Sequence, residues 1–222
     1  MALSKLTYNS LNVTAAASKG IGFDSDPDAL QADYVGGSMV FIKKLTADGS
    51  GSSLSFVDGS SNVVLDNTYP VYLIKMINVH GITDDTQFKF QGNSAGGSGF
   101  NETITSTYFK AGHKEDGTYT TLGYSAGSDQ AQATGYQTIS ENMGNANDEC
   151  GSGELWLFNP SSTTFVKHFL VKLQHQQHAE QCYQSYTAGY FNTTSAIDEI
   201  SFKFASGNID SGTFKLYGIK DS

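Results

Sequence analysis

The chain has 222 residues, 38% hydrophobic and only 16% charged, with 24 glycines against 3 prolines and a formal net charge of −9. Its positive charge is all lysine, so the arginine fork that grips phosphates and guanine edges is missing and nucleic acid is a poor partner. The acidic balance also repels anionic membrane surfaces, and no run reaches the roughly 18 apolar residues of a membrane helix.

Residues Met1 to Gly37 alternate weakly, contain Ala15 to Ala17 and end in the acidic DSDPDALQADYVGG. The start lacks the apolar core of a signal peptide. The segment reads as an extended arm or docking segment, with an ordinary first strand as the alternative. Asp24, Asp26 and Asp28 alternate as the opening of a calcium loop does. Ala29 then stands where glycine is needed and Val35 where the bidentate glutamate belongs, so a proline-containing acidic turn is the plainer reading.

From Ser38 to Ser222 a single β-sandwich domain is expected. Strand signals fall at Ser38–Leu45, Ser52–Val57, the apolar run Val71–Val79, Gln87–Gln91, Asn101–Lys110, Gly153–Phe158, Phe165–Gln174, Cys182–Phe191, Glu199–Ala205 and Thr213–Ile219. About ten short strands joined by Gly, Ser, Asn and Asp turns predict an all-β fold, a jelly-roll-like antiparallel β-sandwich. Between Gly112 and Asn147 the chain is polar and glycine-rich. It predicts long loops with one short strand or helix near Tyr136–Met143. Tyr119, Tyr124 and Tyr136 in this stretch are the partner-binding candidates, because long loops on a β-scaffold carry contacts.

His175 and His178 form HQQH. On a strand, residues three apart point to opposite faces, so a shared metal needs a turn at Gln176 or a symmetry axis; hydrophilic rim residues are the default. His168 lies in an apolar run and reads as a core or interface histidine. His80 and His113 sit near strand ends without an obvious partner. Cys150 and Cys182 are expected to stay reduced, a disulfide being the lesser alternative. No nucleophile elbow, phosphate cradle or metal signature stands out, so no catalytic residue and no cofactor are expected.

The ending reads as a β-hairpin that closes the fold. Phe202 and Phe204 share one face of the first strand, Phe214 and Leu216 one face of the second, with Lys203 and Lys215 opposite.

Several stretches carry a resemblance: MALSKLTYNSLNVT at the start, LFNPSSTTFVKHF from Leu157 to Phe169, and AGYFNTTSAIDEISFKFASGNIDSGTFKLYGIK at the end, with YPVYLIKMINVH and TITSTYFKAGH between. They resemble the structural, tail-fibre-like virion proteins of marine tailed phages of the cyanophage type. That resemblance implies a non-enzymatic virion protein, assembled in the host cytoplasm, with no active-site residues to carry over. It implies a tail appendage or fibre-associated subunit, a homo-oligomer with a trimer favoured, in contact with other virion proteins and with a glycan or protein of the host surface. A capsid decoration protein is the near alternative. A glycan-degrading hydrolase or a lectin-like sugar-binding module is the alternative of another class.

Overall fold

The computed structural model describes residues 37–221 and, ahead of them, the backbone of two short strands. The chain divides into two compact units, Met1–Gly37 and Ser38–Ser222. In the first, β1 (Gly20–Phe23) pairs antiparallel with β2 (Leu30–Asp33). The calcium-loop candidates Asp24, Asp26 and Asp28 lie outside the described residues.

The second unit is all β. Its strands are β3 (Met39–Ala47), β4 (Ser53–Val57), β5 (Val71–Gly81), β6 (Thr86–Ser94), β7 (Ile104–Lys114), β8 (Thr120–Tyr124), β9 (Gln137–Met143), β10 (Gly151–Phe158), β11 (Lys167–Gln177), β12 (Gln181–Phe191), β13 (Ile197–Phe204) and β14 (Ile209–Ile219). Every expected strand from Ser38 onward falls on one of these. The Tyr136–Met143 stretch is strand, and β8 is an addition.

Two antiparallel sheets face each other. One runs β3-β14-β5-β10-β11-β12-β7-β8 and the other β9-β6-β13-β4. A single residue pair, Gln177 opposite Met143, links β11 to β9 and nearly closes the sandwich into a barrel. Eight of the strands form the jelly roll: β3, β14, β5 and β10 on one side, β4, β13, β6 and β9 on the other. The chain passes repeatedly from one sheet to the other, which places strands distant in sequence side by side. Two hairpins are inserted into this plan. One, β7–β8, leaves between β6 and β9; the other, β11–β12, leaves between β10 and β13. They dock on each other through β12 and β7 and extend the first sheet past β10.

The core lies between the two jelly-roll sheets. Phe88, Phe202 and Phe214 meet there with ring centroids 5.2–6.2 Å apart. Phe90 and Phe169 meet edge-on at 5.0 Å. Each buried ring contributes about 1.5–3 kcal/mol by its removal from water.

The closing stretch is not a hairpin. β13 pairs with β4 and β6, whereas β14 pairs with β3 and β5. The two strands lie in opposite sheets, and Phe202 faces Phe214 across the core. A hairpin would have put both apolar sets side by side on one sheet face. Crossing between the sheets lets each set cover the other.

Candidate functional site

The inserted hairpins place an apolar surface outward. Along β11, alternation buries Phe169, Val171 and Leu173 and turns His168, Leu170 and Lys172 out. The register then sets Trp156 of β10 opposite Leu170, and Leu170 opposite Ala188 of β12. One repeat along, Tyr186 stands opposite Phe109 of β7, their rings stacked at 4.8 Å and 10°. Phe109 is 43% exposed and Leu170 49%. Together these side chains line a shallow cleft of about 280 Å³. A second cleft, about 420 Å³, adjoins it beside Phe158, His168 and Tyr190. Clustered exposed aromatics of this kind mark a contact surface.

The inner face of the same extension is polar. Lys110 of β7 forms an ion pair with the buried Glu141 of β9. Ser125 and Ser128 donate hydrogen bonds to the same carboxylate, Ser125 at 2.6 Å. Burial works to raise the Glu141 pKa, but the bonds from Lys110, Ser125 and Ser128 outweigh it and hold the group below the usual carboxylate range. His175 donates from Nε2 to the Glu141 carbonyl at 2.8 Å and stacks on Tyr183 at 5.8 Å. Its Nδ1 is buried without a partner. Burial pushes its pKa down to about 4, so the ring is neutral at pH 7. Tyr108 bonds Ser185 at 2.7 Å, and Ser106 donates to Gln137 at 2.6 Å. A Cβ at Gly112 would come within 2.5 Å of the Tyr183 ring, so glycine is needed where β7 passes under it. Glu141, already engaged by three donors, acts here as a hub that ties the 125–130 segment to the sheet.

The two histidines of HQQH are separated. His175 is on β11 and buried; His178 follows the strand, exposed, with Nδ1 3.2 Å from Asp85 Oδ1. The rim assignment is corrected for His175, because it falls in phase with Phe169, Val171 and Leu173. Among the described residues no group of three or more His, Cys, Asp or Glu side chains is placed to hold a metal ion. His168 is exposed and meets Tyr190 edge-on at 5.9 Å, so of its two readings, core or interface, the core one is corrected. His80 does have partners: Asp210 at 3.1 Å and the Ala146 carbonyl at 3.2 Å. Cys150 and Cys182 are both free thiols.

The three tyrosine candidates do not form one surface. Tyr119 is exposed in the β7–β8 turn. Tyr124 ends β8 opposite Phe109, its hydroxyl bonded to Asp129. Tyr136 belongs to the other sheet's surroundings, with the Lys203 ammonium 4.3 Å from its ring. Only Tyr124 joins the outward aromatic face. Trp156, Leu170 and Tyr186 escaped selection, although the alternation in GELWLF and FVKHFLVKLQ already sets Trp156 and Leu170 opposite in phase to the core residues.

Compared with protein-family models, curated proteins and solved structures, the chain gives no match.

Proposed function

We propose that the chain is a non-enzymatic structural subunit of a bacteriophage virion, a tail appendage or fibre-associated component, that makes contacts through the outer face of its extended sheet. The observation that carries this is the surface of Phe109, Trp156, Leu170 and Tyr186: apolar, outward-facing and held on a hydrogen-bonded sheet. Such a face is built to be covered. Jelly rolls occur in viral capsid and lectin domains, which supports the reading by analogy of fold. The resemblance of Leu157–Phe169 and of the closing stretch to tail-fibre-like proteins supplies the virion context. The partners are other virion proteins, further copies of the chain in a trimer, and a glycan or protein of the host surface.

Antibody labelling of purified particles tests it. Label at the tail is the expected result. Label over the shell makes the protein a capsid decoration subunit, and particles without label overturn the proposal. Release of short sugars from a host polysaccharide by the purified chain would overturn its non-enzymatic part. The lectin-like reading draws on one specific observation, the half-buried Trp156 and Tyr186 rings on an open sheet face.

A further inference from the structure

Across the large sheet the lysines stand in a line. Lys44 is opposite Lys215, and Lys215 is opposite Lys75. The line continues through Glu154 and Lys172 to Tyr186. Like charges directly opposite on neighbouring strands destabilise a sheet. Yet no described carboxylate forms an ion pair with Lys44, Lys75 or Lys215, in a chain with 22 acidic residues. Lys172 lies over the Tyr186 ring at 6.0 Å. The adjoining row carries Tyr217 and Trp156. A cationic line beside an aromatic row, on an otherwise acidic chain, is complementary to an anionic ligand with apolar faces.

We propose that this line is a binding track for a polysaccharide bearing carboxylate or sulfate groups. The inference rests on reading the outer sheet face as the working surface. Trp156 and Tyr186 offer flat rings to the apolar faces of pyranoses. Lysine ammonium groups hold the acidic substituents. Neighbouring strands are about 4.8 Å apart, comparable to the advance of one sugar along an extended chain, so successive lysines meet successive units. The Trp156 cleft joins a more polar one of about 360 Å³ at Glu154 and Lys172, where Gln184 offers a free amide for sugar hydroxyls. Glu154 interrupts the line and favours spaced anionic groups over a uniform polyanion. Nucleic acid is disfavoured by the absence of arginine and the net charge of −9. A two-fold contact with a second copy would set the lysines against their own counterparts.

Affinity electrophoresis of the full chain in gels containing alginate, dextran sulfate or neutral dextran tests the track. Retardation by alginate, dextran sulfate or both, and none by dextran, is expected; the two anionic polymers distinguish carboxylate from sulfate. Lys75→Glu with Lys215→Glu should weaken retardation by at least about tenfold. Lys89→Glu with Lys203→Glu makes the same charge change on the other sheet, where the two lysines stand opposite each other, and should leave it within about twofold. Lys44→Glu, on the exposed edge strand, keeps the test open where the double variant does not fold. No retardation by either anionic polymer overturns the track, as does equal loss in both double variants. Light scattering that shows an oligomer dissociating in the Lys75/Lys215 variant also overturns it, because a second copy then covers the line. Failure here with label present on virions leaves the structural-subunit reading intact; retardation of a protein absent from virions keeps the track and removes that reading.

Discussion

The jelly roll and its inserted extension bury opposite chemistry. Between the jelly-roll sheets, Phe88, Phe202 and Phe214 exclude water, and Lys89, Lys203 and Lys215 alternate away from them. Across β12 and β7 the inner face carries Tyr108, Lys110, Ser185 and Tyr183 under a polar segment, and the rings of Phe109 and Tyr186 face out. The first region is stabilised mainly by apolar burial, which tolerates no hole. The second is held by directed bonds centred on Glu141, and its outer surface keeps Phe109 and Leu170 exposed. Apolar burial and directed polar bonds therefore stabilise different parts of the molecule.

Substitution in the two regions should separate them sharply. Phe214→Ala should cost about 3–5 kcal/mol, since it opens a cavity between the sheets; the urea midpoint measures it. A loss as small as that of an exposed residue would mean that the core is not where the two sheets meet.

The polar side should respond to pH. The folded pKa of His175, about 4, lies below the unfolded value of about 6.5. Between these limits the unfolded chain binds more protons, so stability rises with pH. The contribution is whole above about pH 6.5 and is lost as the pH falls to about 4, amounting to roughly 3 kcal/mol. Glu141, whose pKa is also lowered, adds to the loss at the acid end. In His175→Gln the urea midpoint should vary much less across this window. An unchanged acid slope in that variant would remove His175 from the account.

Lys110→Met should cost about 2 kcal/mol, because it leaves the Glu141 carboxylate largely buried without its cation. The Lys110 side chain keeps 24% exposure, which puts the effect below that of a fully buried pair. Smallest of all, Leu170→Ser should change stability by no more than about 0.5 kcal/mol while reducing binding of a hydrophobic dye. A large loss of stability there would mean that the outer face is part of the core after all.

Much of this could be read before the structure. The strands were legible because their side chains alternate, and the jelly-roll class followed from their number and turns. Pairing was less legible. Phe202/Phe204 and Phe214/Leu216 each announce an inward face, but alternation does not say whether two such faces lie side by side or across from each other. Lys167 shows the same limit: it is wholly buried, in phase with Phe169, and its ammonium reaches the carbonyls of Phe165 at 2.8 Å and Thr193 at 3.1 Å. The outward aromatic face was missed for a related reason. Tyr119 and Tyr136 lie in loops, where contacts are expected, whereas Trp156 and Tyr186 sit in strands and pass for core residues until the sheet shows which face is covered.

The sequence by itself determined that the chain is β, where its strands run and which residues of each strand share a side, because a strand's side chains alternate with a period of two. Tertiary structure alone decided what each side meets. Sheet pairing joins residues as far apart as Phe109 and Tyr186, or Lys44, Lys215 and Lys75, and that partnership depends on the path of the chain between the sheets. The aromatic face and the lysine line exist only once that path is taken.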